Sequence, residues 1–430
     1  MQTQSVPTGK MRAAISSRAL ERELRRHVRG EIRFDAGSRA LYATDGSNYR
    51  QTPIGVVVPE TVEDFIAAVR LCSDYGVPIT SRGCGTSLAG QCCNVAVIID
   101  ASKRLNRVLQ IDVANRRATV EPGCILDTLR DAAQLHGLTF GPDPSTHTHC
   151  TLGGMLGNDS CGAHSLLSAH HGLGMRVADN THELEILTYD GERMRVGPTD
   201  ESHLREIIST GGRRGEIYRQ LAELRDKYAD EIRRRFPNIP RRVSGYNLPQ
   251  LLPENGFNIA RALVGSEGTC VTILEATLHL VPAPKARTLL VLGYPDVYSA
   301  GDDVPEIVKH KPIALEGVDD LLISYMKKKG LHPDDVRYLP EGGGWLMVEF
   351  GGESKLEADA RALEMMAALR KRPSPPTMKL YDDPRQEARL WEIRESGLGA
   401  TAFVPGLPDA WPGWEDSAVP PENVGPYLRE

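Results

Sequence analysis

The stretch Pro78 to Gly90 reads PITSRGCGTSLAG and restricts what this chain can fold into more than any other segment. Gly83, Gly85 and Gly90 free the backbone for dihedrals that a side chain resists. Successive N–H groups turned inward in this way form a nest for an anion. Thr86 and Ser87 add hydroxyl donors, Arg82 adds charge, and Cys84 sits between the first two glycines. Pro78 starts a strand into the turn, and the apolar run Val95 to Asp100 leaves it. This is the chemistry a diphosphate requires. The spacing matches neither G-x-G-x-x-G nor G-x-x-x-x-G-K-[ST]. Taken alone, the segment reads equally well as a glycine-rich turn between two strands.

Two further stretches favour the anion cradle. Phe140 to Gly162, FGPDPSTHTHCTLGGMLGNDSCG, is long, poor in charge and rich in glycine and hydroxyls. Read as a loop, it is of a length that is uncommon without function. Pro144, Thr151, Gly153, Gly154, Asn158, Ser160 and Gly162 are its candidate contacts. Gly265 to Thr269, GSEGT, contributes Glu267 and Gly268 and leads into an alternating strand. Three such segments in an otherwise well-patterned chain predict convergence on one dinucleotide.

With 430 residues the chain exceeds one core, so two or three domains are expected. A net charge of -6 with mixed signs gives no general footprint for nucleic acid. The eight cysteines lack C-x-x-C spacing, which excludes a zinc knuckle and predicts reduced thiols. No apolar run approaches a membrane span. Lys10 and Arg12 precede no apolar signal core. The expectation is a cytoplasmic protein, at most peripheral on the inner face of a membrane.

Periodicity places the elements. Residues up to about Arg29 read as a peripheral helix with Leu20 and Leu24 on its apolar face, and Phe34 to Asn48 as irregular chain. Ile54 to Val58 is a strand; Thr61 and Asp64 form a capping box for the next helix, and Gly76 ends it. Val108 to Asp112 and Ala118 to Glu121 make a hairpin, and Ile125 to His136 a helix. Leu184 to Tyr189 and Arg193 to Val196 pair around Asp190-Gly191. Gly212 to Phe236 is a charged helix with one stripe, Ile217, Leu221, Leu224 and Tyr228. Pro282 and Pro284 mark a boundary, beyond which strands at Thr288, Ile313 and Trp345 alternate with helices at Ala300, Leu321 and Leu356. His147, His149, His164, His170 and His171 are close in sequence, but no three-ligand pattern converges on them, so no metal ligand is assigned.

The pieces VVVPETVEDF, PITSRGCGTSLAG, VEPG, PDPSTHTHCTLGGMLGNDSCG, SGYNL, GSEGTCVTILEATLHL and WEIRES span nearly the whole chain. In that order they resemble the FAD-linked oxidase family, whose flavin domain is shared with vanillyl-alcohol oxidase and p-cresol methylhydroxylase. Within it the chain is similar to the D-2-hydroxyacid branch of glycolate oxidase flavoprotein subunits, D-lactate dehydrogenases and D-2-hydroxyglutarate dehydrogenases. The resemblance implies an α+β fold. It places an N-terminal helical or irregular segment at 1–48, a PCMH-type FAD-binding domain at 49–283 with the charged helix 212–236 inserted, and a partial ferredoxin-like substrate cap at 284–430. FAD is expected to be non-covalent, because Thr86 holds the place where covalent relatives often carry histidine; Cys84 and Cys150 are the positions for a thioether instead.

The implied reaction is oxidation of a small 2-hydroxycarboxylate, with electrons passing to an iron–sulfur module or a quinone. Arg394 of WEIRES is the expected carboxylate anchor, because a guanidinium fork matches a carboxylate, and Arg242 is a weaker candidate. An ion pair between domains is the alternative role for Arg394. The tail VPPENV resembles a strand returning toward the flavin. The family's histidine-rich metal segment and its cysteine quartets are absent, so the chain is expected to be a fragment, with iron–sulfur cluster and divalent metal confined to a region downstream. Two other functions remain open: a non-catalytic FAD-holding or electron-transfer subunit, and a reductase of the UDP-N-acetyl-enolpyruvylglucosamine type.

Overall fold

The computed structural model describes residues 17–411 and 417–430; Lys10, Arg12 and the start of the expected first helix lie outside them. Helix α1 (Ser17–His27) buries Leu20 and Leu24, as their four-residue spacing requires. Strand β1 (Glu31–Arg33) pairs antiparallel with β2 (Gly55–Val58), so the N-terminal segment extends the first sheet. The intervening chain is not wholly irregular: Asp35 caps a short helix α2 (Ala36–Leu41) by accepting the Ser38 N–H. Helix α3 (Val62–Asp74) opens on the Thr61/Asp64 capping box. Strands β3 (Ile79–Arg82) and β4 (Val97–Asp100) complete a sheet ordered β1-β2-β4-β3, in which β2, β4 and β3 run parallel. β4 is buried along its whole length, which explains its continuous apolar run.

Asp64 does more than close the capping box. Its carboxylate also accepts the N–H groups of Arg29 at 3.0 Å and Glu60 at 3.2 Å, tying α1 to α3. Thr61→Ala removes one cap bond and should cost about 1 kcal/mol. Asp64→Ala strands several donors and should cost more, about 2–3 kcal/mol, by urea denaturation.

The second layer begins with hairpin β5 (Val108–Asp112) and β6 (Arg117–Val120), then helix α4 (Leu126–Gln134) and strand β7 (Leu138–Thr139). The expected long loop is interrupted by helix α5 (Leu152–Asn158), followed by α6 (Ser165–His170). Hairpin β8 (Thr181–Leu187) and β9 (Arg193–Val196), helices α7 (Glu201–Thr210), α8 (Gly212–Arg235) and α9 (Ile259–Leu263), and strands β10 (Thr272–His279) and β11 (Val281–Pro282) complete it. Its antiparallel sheet runs β5-β6-β10-β8-β9, and β10 alternates buried and half-buried residues along its length. α8 buries Gly215, Tyr218, Ala222 and Arg225, the rows beside the stripe read in the sequence; Ile217, Leu221 and Leu224 of that stripe are half-buried against the core, and Tyr228 is exposed. A Cβ at Gly215 would lie 2.9 Å from the Ile207 carbonyl oxygen, so the helices meet backbone to backbone there. Arg225 stays inside because its guanidinium lies over Phe257 and pairs with Glu201.

The C-terminal domain is a ferredoxin-like β-α-β-β-α-β unit. Strands β12 (Ala286–Tyr294), β13 (Ala314–Asp319), β14 (Gly344–Gly352) and β15 (Thr377–Tyr381) form an antiparallel sheet ordered β13-β14-β12-β15. Helices α10 (Val297–Val308) and α12 (Lys355–Leu369) pack on one face, through Ile307 and Met365 against Leu290 and Val348. Helices α11 (Asp320–Lys329) and α13 (Pro384–Glu395) pack on the other, through Met326 and Leu390 against Val291 and Met347. A short helix α14 (Gly397–Thr401) follows. The tail departs from expectation. Residues 412–416 lie outside the described range, and VPPENV is not a strand but a 3-10 turn, Pro421–Asn423, leading into helix α15 (Val424–Arg429). Pro420 and Pro421 lack the N–H groups a ladder needs, and α15 packs on α10, where Arg429 pairs with Asp302.

Candidate cofactor cleft and domain seam

A cavity of about 890 Å³ opens where β3 ends, between the two layers of the first domain. Parallel strands place ligand sites at their carboxyl ends. β3 carries Ser81 and Arg82 to the rim, and the chain then turns at Gly83. A Cβ at Gly83 would sit 2.0 Å from Thr151 Oγ1, so the first and second glycine-rich stretches are in contact. Thr151 caps α5 by accepting the Gly154 N–H at 3.3 Å. Gly85 and Gly90 have φ of +74° and +83°, the left-handed region. The backbone N–H groups of Cys84, Gly85, Thr86 and Ser87 donate to no acceptor among the described residues. The third stretch closes the cleft: Gly265, Glu267 and Gly268 all have positive φ, and the N–H groups of Gly265 and Glu267 bond the carbonyls of Leu156 and Gly157 at the end of α5.

Of the residues expected from sequence, Pro78, Arg82, Gly83, Ser87, Gly90, Thr151, Gly153, Gly154, Asn158, Glu267 and Gly268 line this cavity. Cys84, Gly85 and Thr86 form the outer arc of the cradle without lining it. Pro144, Ser160 and Gly162 lie outside the lining. The Ser160 N–H bonds Met155, and Gly162 presses on the Asp143 backbone. Arg82 turns its guanidinium to the carbonyls of Tyr42, Thr44 and Cys92, so it shapes the cradle from behind. Sequence reasoning passed over Phe65, Tyr189, Thr269 and Thr272 as lining residues. The signal for Thr272 was available: it is the first inward residue of β10, and its hydroxyl is 3.4 Å from Ser81. Tyr49 packs against Gly90 and stacks 5.4 Å from Trp411 of the tail.

The two arginines lie elsewhere. Arg242 donates to Asn247 at 2.8 Å and lies over Phe236, behind the end of α5; burial, with Arg176 nearby, lowers its pKa. Its neighbour Asp159 is buried, and that burial pushes its carboxyl up to about 6 despite Arg176 at 3.2 Å. Arg394, on α13, donates to Glu316 of β13 at 2.7 Å, so its ion pair lies within the cap. The next residue, Glu395, reaches back to the first domain at His147 Nε2, 3.3 Å away, and His147 Nδ1 pairs with Asp127 at 2.7 Å.

Three histidines of this region, His147, His164 and His170, fasten the domains together. His164 Nδ1 meets Asp143 at 2.5 Å and Nε2 meets Glu349 of the cap at 2.8 Å. Arg287 also approaches Glu349, and Trp391 of WEIRES donates to its other oxygen at 3.3 Å. Burial alone would lower the His164 pKa, but Asp143 and Glu349 outweigh it and push it up to about 9. Burial likewise works against Glu349, yet His164 and Arg287 hold it down at about 2. His164 and Arg287 thus answer two buried carboxylates, and Arg130 lies 4.0 Å from Asp143 at the edge of the cluster. His170 adds a bond to the Pro312 carbonyl at 2.8 Å.

A glycine-walled cleft in a two-layer domain, followed by a ferredoxin-like domain, defines a class of two-domain, cofactor-holding proteins. The FAD binding domain family matches residues 53–197, and the C-terminal domain family of FAD-linked oxidases matches 283–430. The two matches together take in most of the chain, which belongs to the FAD-linked oxidases. It is 30% identical over 413 residues to a D-2-hydroxyglutarate dehydrogenase of Pseudomonas putida, covering 94% of this chain but 40% of that protein. It is 28% identical to the glycolate oxidase subunit GlcD of Bacillus subtilis, over 94% of this chain and 73% of GlcD. The fold matches p-cresol methylhydroxylase with a TM-score of 0.56 at 13% identity, over 90% of this chain and 72% of that one. The chain therefore spans about two fifths of the D-2-hydroxyglutarate dehydrogenases it aligns with.

Proposed function

We propose that this chain holds non-covalent FAD in the cleft and presents a D-2-hydroxy acid to it beneath the cap, for oxidation to the 2-oxo acid. D-2-Hydroxyglutarate, D-lactate and glycolate are the substrates proposed, and an iron–sulfur module or quinone the electron acceptor. The observation that carries the reading is the set of N–H groups from Cys84 to Ser87, without acceptors among the described residues, at the mouth of a cleft where Gly83, Gly90 and Gly153 leave no room for side chains. That set fits a diphosphate, and the cavity falls within the size range of cofactor sites. FAD supplies a two-electron acceptor for the hydride leaving the substrate Cα. The chain's own residues bind and orient. Arg394 anchors the carboxylate by exchanging its bond to Glu316 for the substrate. The link from Glu395 to His147 holds that helix against the cofactor domain. Burial raises the thiol pKa of Cys84 and brings that of Cys150 to about 12, which keeps both poor nucleophiles and favours non-covalent attachment.

The purified chain should take up FAD and release it on acid precipitation, leaving a colourless pellet. Adding the three hydroxy acids should perturb or bleach the bound flavin spectrum. Arg394→Ala should weaken that response about 100-fold with FAD affinity unchanged. A folded chain that refuses FAD would defeat the reading, and an unaltered Arg394→Ala response would return Arg394 to a structural ion pair.

A further inference from the structure

The geometry points to a divalent-cation site in the cap, built from His332, Asp335 and Glu392, where the segment after α11 meets α13. The three ligand atoms lie within 4.8 Å of one another. His332 Nδ1 is 3.4 Å from Asp335 Oδ2 and 4.0 Å from Glu392 Oε2. The contact to Asp335 is a long hydrogen bond and that to Glu392 lies beyond one, so a ring proton serves one carboxylate and leaves the other unanswered. A first-row cation bound at about 2.0–2.2 Å sets its ligand atoms roughly 3.0–3.5 Å apart, which needs only a small turn of the half-exposed Glu392 side chain.

The ring's other nitrogen supplies the second observation. The Ser396 hydroxyl donates its proton to the Glu392 backbone carbonyl at 2.7 Å. It therefore accepts at its contact with His332 Nε2, 2.8 Å away, which makes Nε2 the protonated nitrogen. In the neutral ring Nδ1 is then a bare lone pair facing two carboxylates. Such an arrangement is satisfied by a second ring proton or by a metal ion, and the reach to two carboxylates favours the ion. Asp335 keeps its second oxygen for Arg389, 3.6 Å away, which orients the carboxylate as outer partners of metal ligands do. One imidazole and two carboxylates suit zinc, iron, nickel or manganese. The remaining coordination positions are open to water. The ion would cross-link the segment ahead of β14 to the helix that carries Trp391, Arg394 and Glu395. This site is independent of the flavin reading.

The test uses the whole chain, stripped with chelator and titrated with Zn²⁺ and separately with Mn²⁺. Calorimetry and elemental analysis should find one equivalent per chain that His332→Gln lacks. Glu392→Gln, at an exposed position where the amide keeps the shape of the carboxylate, should weaken binding at least tenfold. Ser396→Ala retains all three ligands but releases the ring tautomer, and should weaken it about tenfold. Zinc should also raise the melting temperature of the parent chain and not of His332→Gln. Failure of the parent chain to bind either ion, or equal binding by the parent and Glu392→Gln, overturns the assignment. So does a His332 Nδ1 that stays protonated by nitrogen NMR in excess zinc at pH 8.

Discussion

His164→Leu should destabilise the chain by about 3–5 kcal/mol and loosen the cap from the flavin domain, because one partner of a buried ionic cluster is removed while the others stay buried. Asp143 and Glu349 would lose their shared partner, leaving Arg130 at 4.0 Å from Asp143 and Arg287 at 3.3 Å from Glu349 to answer them. Calorimetry should resolve one cooperative transition in the parent and two in the variant, the cap melting apart from the flavin domain. A single unshifted transition would show that the seam does not depend on this cluster. The same cluster sets a pH dependence. The folded His164 pKa, about 9, lies above its ordinary 6.5. Its stabilisation is therefore complete below about pH 6.5 and fades as pH climbs through 9. Glu349 works in the opposite sense: held near 2 from 4.5, it stabilises above about pH 4.5, and that contribution is lost as pH falls toward 2. Docking should be firmest between these limits and fail first on the alkaline side. In His164→Leu the alkaline loss should be absent, which distinguishes this residue from general alkaline unfolding.

Gly83→Ala should abolish flavin retention at micromolar cofactor and lower stability by about 2–4 kcal/mol, the sum of an overpacking cost and a lost helix cap. The added methyl would overlap Thr151 Oγ1 at 2.0 Å, with Thr151 Cβ and Cγ2 both at 3.1 Å. Thr151 can yield only by giving up its bond to Gly154 at the start of α5, and α5 is a wall of the cleft. The double variant Gly83→Ala/Thr151→Ala removes the atom that clashes and should recover part of the loss. A coupling energy near zero between the two sites would mean that they do not touch in solution.

Much of this molecule was legible because its elements obey simple periods. β4, β10 and the Thr61 cap follow from a buried run, an alternation and a side chain that accepts from its own helix. The convergence of the three glycine-rich stretches was legible as chemistry before it was visible as contact. What escaped has physical causes. The segment LGGMLGN has poor intrinsic helicity, so α5 forms only because Leu152, Met155 and Leu156 are buried and Thr151 caps it. β15 was hidden because Thr377 and Lys379 point outward, leaving little apolar signal. The inward face of α8 depends on a glycine meeting another helix's backbone, which no hydropathy stripe encodes. The role of His164 depends on Glu349, 185 positions away. No local pattern could join them.

The two backbone bonds from the 265–269 turn to the end of α5 have a mechanical corollary. They weld two of the three walls into one rigid jaw. The cradle after β3, meeting that jaw at Gly83 and Thr151, is the other. The cleft is thus bounded by two bodies rather than three, which meet at Gly83 with Thr151 and at Ser81 with Thr272.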